Sequence, residues 1–233
     1  MPDLIHDRNA RGTTQLGWLD SRHTFSFGGF RDPQRPGFRS LRVINDDRVV
    51  PGAAFGEHSH RDMEILTYVL EGRLEHQDSM GNGSIISPGD VQIMSAGTGI
   101  THSERNPSAS VPAHFLQIWI LPRASGLRPR YEQRTFAREQ FQDRLSLIAA
   151  GTPRDGAVAI MQDVMLYACA LSAGSTVSYA IDAKRYGFVQ VARGIVHLNG
   201  AELREGDGVQ IEVRRDLTFT TEVGAELLLF DLS

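Results

Sequence analysis

The chain has 233 residues, a formal net charge of -4 and 41% hydrophobic residues, which is enough for one large all-β domain or two domains of about 100 residues. It lacks the basic stripe that phosphate binding needs, which argues against direct contact with nucleic acid. No apolar run approaches the ~18 residues that span a bilayer, and the N-terminal segment is charged where a signal peptide is apolar. The single cysteine, Cys169, fits a reducing compartment. We therefore expect a soluble, cytoplasmic protein that binds neither nucleic acid nor membrane.

Strand signals dominate the chain from the N-terminus onward. Several short runs are rich in β-branched and apolar residues and are bounded by Gly, Pro, Asn or Asp: 40–45, 64–70, 115–121, 164–171 and 227–232. Such runs predict a sandwich or barrel rather than a parallel α/β sheet. The stretch 136–149 differs, because its apolar residues have roughly helical spacing before Gly151. It predicts a short surface helix.

A faint internal repeat divides the chain. YVLEGRLE at 68–75 and QVARGIVH at 190–197 both predict two strands around a glycine-centred turn, at Gly72 and Gly194. Each is followed by a Gly-Asp turn before an apolar strand, in PGDVQIM from Pro88 and in EGDGVQI from Glu205. The repeat predicts two related β-barrels, with the N-terminal domain at 1–132 and the C-terminal domain at 133–233.

Two pairs of polar residues carry the chemistry. His58 and His60 are two residues apart in the segment GAAFGEHSHRDME, and His102 and Glu104 have the same spacing in TGITHSERN. Alternate side chains of a strand point to one face, so each pair is expected to present both groups together. Three imidazoles and a carboxylate suit Fe, Ni, Cu, Mn, Co or Zn rather than Ca²⁺ or Mg²⁺. The sequence predicts one metal ion with these four ligands and an open coordination position for a substrate oxygen or dioxygen.

Chance is the alternative explanation for such pairs. The chain has eight histidines, so a single pair would be weak evidence, whereas two pairs beside glycines favour a metal site. Glu64 follows His60 by four residues, but it also begins an apolar strand, and we interpret it as supporting or structural. The other histidines are interpreted as surface or core residues or are given no role: His6, His23, His76, His114 and His197.

The ligand pairs lie in segments that resemble the two cupin motifs. Gly52, His58, His60 and Glu64 fit the first motif, and Gly72 comes one residue late. The second motif is matched by Gly89, His102 and Asn106, whereas Ser95 stands where that motif has proline.

These departures, and the position of Glu104 two residues after His102, resemble the pirin branch of the cupin superfamily. Further pirin-like segments cover most of the first ~135 residues in order: HTFSF at 23–27, HSHRDMEILTYVLEG at 58–72, HQDSMGN at 76–82, MSAGTGITHSE at 94–104, LQIWILP at 116–122 and PRYEQ at 129–133.

The resemblance implies an all-β bicupin, built from two small barrels of the double-stranded β-helix or jelly-roll type with few short helices. It also implies that only the N-terminal barrel holds a metal ion, through His58, His60, His102 and Glu104. Aligning the two halves on their glycines agrees, because it places Ala180, Asp182 and Phe219 at the ligand positions of the second barrel.

Bacterial proteins of this type resemble quercetin 2,3-dioxygenases, which open a flavonol heterocycle with dioxygen. The resemblance implies a small aromatic substrate, dioxygen, one divalent metal ion with iron as the first expectation, and Glu104 as ligand or catalytic base. Phe25, Phe27 and Phe55 are candidates either for the apolar walls of the substrate pocket or for plain core. Two alternatives stay open: a metal-binding regulatory protein with a protein partner, and a cupin enzyme with another small-molecule substrate.

Overall fold

A computed structural model describes residues 3–213 and 216–233. From the N-terminus, its strands are β1 Leu4–His6, β2 Gly12–Leu16, β3 Leu19–His23, β4 Leu41–Val49, β5 Ala54–His60, β6 Glu64–Glu71, β7 Leu74–Asp78, β8 Gly83–Ile86, β9 Asp90–Ser95, β10 Ile100–Arg105, β11 Ala113–Ile120, β12 Arg130–Thr135, β13 Ser146–Ala150, β14 Val158–Ala159, β15 Val164–Leu171, β16 Thr176–Ala180, β17 Tyr186–Leu198, β18 Ala201–Arg204, β19 Gly208–Ile211, β20 Asp216–Thr220 and β21 Ala225–Leu232. A 3₁₀ turn at Arg8–Ala10 and helix α1 at Arg138–Phe141 complete the regular structure of these residues. Neither is long or apolar enough to cross a membrane.

The N-terminal unit comprises Gly12–Thr135 and Val158–Gln162. Its larger sheet has the order β12-β9-β6-β11-β4-β3-β2, and its smaller sheet the order β5-β10-β7-β8. The inward faces of both sheets meet in an apolar core that includes Val49, Leu74 and Phe115. Strands β5 and β10, which carry the two predicted ligand pairs, are neighbours in the smaller sheet.

The C-terminal unit comprises Met1–Arg11, Phe136–Ala157 and Asp163–Ser233. One sheet contains β1-β19-β17-β21-β15-β13, and a second contains β16-β20-β17-β18, because the long strand β17 belongs to both. Its interior is an apolar cluster around Val191, Leu217, Phe219 and Leu229.

The all-β bicupin predicted from the sequence is confirmed, as are the five strand-rich runs. The division into independent domains at 132/133 stays a prediction, and strand β1 is part of the C-terminal unit, where Leu4 pairs with Gln210.

The predicted repeat has a geometric counterpart at its glycines. Gly72 has φ +70° and Gly194 has φ +74°, a region that side chains other than glycine rarely adopt. A Cβ atom at Gly72 would lie 2.3 Å from the carbonyl oxygen of Pro112, and one at Gly194 would lie 2.3 Å from that of Gly224. Gly72 separates β6 from β7, whereas Gly194 lies inside β17 at the point where its pairing changes from β21 to β18. Both glycines therefore allow the chain to pass from one sheet to the next.

The helix predicted for 136–149 is wrong over most of its length. Only Arg138–Phe141 is helical, and Ser146–Ala150 forms strand β13 beside β15. The apolar residues at the end of this stretch are buried in the sheet. The helical spacing arose from joining a short surface turn to the first apolar residues of a buried strand.

The sequence alignment of the two barrels is also shifted. In the N-terminal unit His102 pairs with His58, whereas in the C-terminal unit Phe219 pairs with Val177. Val177, rather than Ala180, is therefore the partner of the residue aligned with His102. The alignment on Gly72 and Gly194 therefore misplaced the residue equivalent to His58 by three positions. Each of these glycines is separated from the ligand strand by a loop, and the length of that loop differs between the two halves.

Candidate metal centre

The pairing of β5 with β10 brings the predicted ligands to one place. His58 lies opposite His102, and His60 lies opposite Ile100 in the antiparallel register. The register shifts between His102 and Glu104, so that Glu104 lies opposite Phe55. Such a bulge re-aims a side chain relative to the regular alternation of the strand.

The three predicted histidines form a compact cluster. One ring nitrogen of each of His58, His60 and His102 lies within 4.8 Å of those of the other two. The ring centroid of His102 is 4.4 Å from that of His58 and 5.0 Å from that of His60. A single ion between three such nitrogens is compatible with the usual His–metal distance of about 2.0–2.2 Å.

Glu104 belongs to a second group that shares His102. Its carboxylate lies within 4.8 Å of ligand atoms of His102 and of His76, a residue to which the sequence gave no role. His102 is thus the residue common to both groups. The structure thus places the four predicted ligands in two groups that share His102, and His58, His60 and Glu104 line the same cavity.

Hydrogen bonds leave the imidazoles ready to accept a cation. The Nδ1 atom of His58 lies 2.8 Å from the carbonyl oxygen of Gly56, which can only accept, so the proton is on Nδ1 and Nε2 keeps its lone pair. The Nε2 atom of His102 is buried without a hydrogen-bond partner. A buried unpartnered nitrogen is costly, and a bound ion would satisfy it. The donor set and this orphaned atom therefore fit a divalent transition metal ion.

Electrostatics favour neutral imidazoles and disfavour isolated carboxylates in this site. Burial, reinforced by neighbouring imidazoles, lowers the pKa of His60 to about 4 and that of His102 to about 3. Burial raises the pKa of Glu104 to about 7; the charge of Asp47 adds to this, while the hydrogen bond from Gln117 opposes it. A cation in the cluster would offset the cost of a buried carboxylate.

A cavity of about 110 Å³ opens beside this cluster in the N-terminal unit. His58, His60 and Glu104 are among the residues that line it, and Phe27 and Phe55 supply apolar wall. Of the three phenylalanines singled out in the sequence, Phe27 and Phe55 line the cavity, whereas Phe25 is buried in the core.

Two polar atoms of the cavity lining have no partner. Trp119 presents an unpaired indole Nε1–H, and Asp47 presents an unpaired carboxyl oxygen, Oδ1. They offer one donor and one acceptor to a bound molecule.

Comparison with known proteins assigns the chain to a family. The pirin family model matches residues 5–120, and the model described as the quercetinase C-terminal cupin domain matches residues 147–232. A curated relative, quercetin 2,3-dioxygenase of Escherichia coli strain K12, is 48% identical over 228 residues, which are 98% of this chain and 97% of the relative. The chain belongs to the pirin family.

Solved pirin structures from Escherichia coli agree in fold. The crystal structure of YhhW is 46% identical, has a TM-score of 0.95 and aligns over 100% of this chain and 98% of its own. The crystal structure of the bacterial pirin YhhW in complex with nickel(II) is also 46% identical, with a TM-score of 0.94 over 99% of both chains.

In this pirin, sequence reasoning missed two buried histidines near the cluster. His23 lines the cavity, with its Nδ1 atom 2.8 Å from the Asn45 side-chain oxygen. Its segment HTFSF was already singled out as pirin-like, which was the available signal. His76 forms an i, i+2 pair with Asp78 on β7, and the rule applied to the other two pairs would have found it.

Glu64, interpreted from the sequence as supporting or structural, lies outside both ligand groups of this pirin. Its carboxylate oxygen Oε2 accepts the hydroxyl of Ser95 at 2.8 Å and the backbone N–H of Met161 at 3.0 Å. It thus joins β6, β9 and the segment Val158–Gln162 within the N-terminal unit.

Proposed function

We propose that this pirin is a metal-dependent dioxygenase that opens the heterocycle of a flavonol such as quercetin with dioxygen. The observation that carries the proposal is the cluster of His58, His60 and His102, with Glu104 beside His102, next to a cavity with apolar walls. The name of the Escherichia coli relative, quercetin 2,3-dioxygenase, supports the choice of substrate class.

His58, His60, His102 and Glu104 would hold one divalent transition metal ion. When bound, the ion supplies Lewis-acid polarisation of a substrate oxygen. We propose iron as the native metal, with nickel, copper, manganese, cobalt and zinc as alternatives that the same donors accept. The nickel(II) complex of YhhW supports a divalent ion in a relative that is 46% identical.

Glu104 is proposed as the residue that takes the proton of the substrate hydroxyl. Its carboxylate is buried beside the cavity and has acceptor oxygens, as a general base needs. Gln117 donates its amide to that carboxylate at 3.4 Å and holds it in place.

The cavity walls would orient the flavonol and exclude water. Phe27 and Phe55 are apolar, the indole N–H of Trp119 can donate to a substrate oxygen, and Asp47 can accept from a substrate hydroxyl. The cavity is below the roughly 300–1,000 Å³ of sites that bury a whole drug-sized ligand. We therefore propose that the reacting ring enters it while the rest of the substrate lies in the opening.

The decisive experiment is a turnover assay on metal-analysed protein. Quercetin and dioxygen should be consumed together, with release of carbon monoxide, and a chelator should stop the reaction until a divalent transition metal is added back. Fully loaded protein that consumes neither substrate would overturn the enzymatic proposal. A regulatory protein or an enzyme with another substrate would then take its place.

We also propose that the domain at 133–233 binds no metal ion, since Phe219 and Val177 pair where His102 and His58 pair in the other barrel. A cytoplasmic location and the domain bounds 1–132 and 133–233 are proposed with it.

A further inference from the structure

The side chains of His102, His76 and Asp78 form a hydrogen-bonded chain that leads from the metal cluster into the barrel wall. His76 is fully buried on β7, with its Nδ1 atom 3.5 Å from Nδ1 of His102 and its Nε2 atom 3.2 Å from Oδ2 of Asp78. The ring of Tyr131 stacks on the His76 ring, with centroids 5.0 Å apart and an interplanar angle of 26°. The His76 ring is thus confined between neighbours and has one polar partner at each nitrogen.

Asp78 fixes the direction of the hydrogen bonds at one end of this chain. Its Oδ1 atom accepts the backbone N–H groups of Met80 at 2.9 Å and of Asn82 at 3.1 Å. Its Oδ2 atom accepts the side-chain amide of Asn82 at 2.9 Å and faces His76. Because a carboxylate only accepts, Nε2 of His76 must carry the proton.

The protonation of the other ring follows from this. A neutral imidazole with its proton on Nε2 has a lone pair on Nδ1, so Nδ1 of His76 accepts. The group that faces it, Nδ1 of His102, must then donate. His102 is left with a lone pair on Nε2, which is the buried nitrogen without a partner.

We propose that Asp78 and His76 are positioning residues that hold His102 in the tautomer with its proton on Nδ1, so that Nε2 is free to bind the metal ion. This inference rests on the proposed role of His102 as a ligand and deepens it. A fixed tautomer and ring orientation strengthen metal binding, and loss of such outer partners costs about 10–100-fold in affinity.

The same residues could instead form a separate ligand group, since ligand atoms of His76, His102 and Glu104 lie within 4.8 Å of one another. The hydrogen-bond directions favour the positioning role, because a His76 nitrogen that accepts from His102 has no lone pair left for a metal ion.

The first test uses wild-type, metal-free protein labelled with ¹⁵N-histidine at a pH where the rings are neutral. Long-range ¹H–¹⁵N spectra should show the proton of His102 on Nδ1 and that of His76 on Nε2. A His102 ring that carries its proton on Nε2, or that exchanges between both forms, would overturn the proposal. This readout needs neither metal nor activity.

The second test is Asp78→Asn. The backbone N–H groups of Met80 and Asn82 and the Asn82 side-chain amide, 3.1 Å away, keep the amide oxygen at the Oδ1 position, which puts the NH₂ group against Nε2 of His76. His76 must then accept at Nε2 and donate from Nδ1, which forces His102 to carry its proton on Nε2. We expect this tautomer change in the same spectra, together with a 10–100-fold weaker Kd for Ni²⁺ measured by titration calorimetry.

The matched control is Asp46→Asn. Asp46 likewise accepts from a buried histidine, Nε2 of His114 at 2.7 Å. Asp47, the next residue on β4, lines the cavity, so the Asp46 side chain points to the face of β4 away from the cavity. The control should leave the His102 tautomer and the Kd for Ni²⁺ unchanged. An equal loss of affinity in both variants, or none in Asp78→Asn, would contradict the proposal. Correct tautomers and Ni²⁺ binding without quercetin turnover would refute only the proposed enzyme activity.

Discussion

The side-chain amide of Gln117 lies 3.4 Å from both carboxylate oxygens of Glu104. Thr67 fixes the orientation of the Gln117 amide, because the Thr67 hydroxyl donates to the Gln117 side-chain oxygen at 2.9 Å. The amide hydrogens therefore face Glu104. Two residues, Thr67 on β6 and Gln117 on β11, thus control where the buried carboxylate of Glu104 on β10 points.

Replacing Gln117 with Leu should lower kcat for quercetin by about 10–100-fold, because Glu104 loses its oriented donor. Metal content should fall less than activity, which inductively coupled plasma mass spectrometry on the same samples can measure. Gln190→Leu is the matched control, since Gln190 is a buried glutamine of the C-terminal unit. Equal losses in both variants would point to general destabilisation.

Glu104→Gln should separate the two proposed roles of this residue. An amide oxygen can still coordinate, though more weakly, but it cannot take the substrate proton. If Glu104 is the base, turnover should fall by roughly 10²–10⁴-fold while metal occupancy largely survives. A parallel fall of occupancy and activity would show that Glu104 acts as a ligand alone.

Removal of one imidazole should empty the metal site. His60→Ala takes away one of three nitrogens that lie within 4.8 Å of one another, and we expect metal content to drop from about one ion per chain to near zero. His197→Ala in the C-terminal unit is the control and should keep full occupancy. Retention of the ion in the His60 variant would refute the ligand assignment.

Trp119→Phe tests the unpaired indole N–H in the cavity. Phenylalanine keeps an aromatic ring beside His60 and Phe27 but removes the donor. We expect KM for quercetin to rise by about 10-fold, the cost of one hydrogen bond of about 1.4 kcal/mol. Metal content should not change. An unaltered KM would mean that the indole N–H makes no contact with the substrate.

The glycines at the sheet crossings should resist substitution. Gly72→Ala and Gly194→Ala each place a Cβ 2.3 Å from a carbonyl oxygen at positive φ, and we expect a loss of about 2 kcal/mol or more in the free energy of unfolding. Gly17→Ala, which meets nothing within 4 Å, should change the thermal midpoint little. Similar midpoints for all three variants would contradict the assigned strain.

The two candidate ligand pairs could be predicted from the sequence, because a spacing of two residues along a single strand places both side chains on a common face. The contact between His76 and His102 could not, since it joins β7 to β10 across 26 residues and depends on strand pairing. Strand pairing also explains the two predictions that were wrong, the alignment of the two barrels and the helix at 136–149. Phe219 faces Val177 because of the β16–β20 register, and β13 is a strand because β15 lies beside it.

Strand β1 has a consequence for biosynthesis. His6 hydrogen-bonds to Gln210, 204 residues further along the chain, and β1 covers the outer edge of β19 in the C-terminal unit. On the ribosome, the N-terminal strand therefore emerges long before its partner exists. Closing so long a loop is entropically unfavourable, so the pairing of β1 with β19 should be among the last steps of folding. Until this pairing forms, β19 offers an unpaired edge, and chaperones that shield such edges would act at this stage.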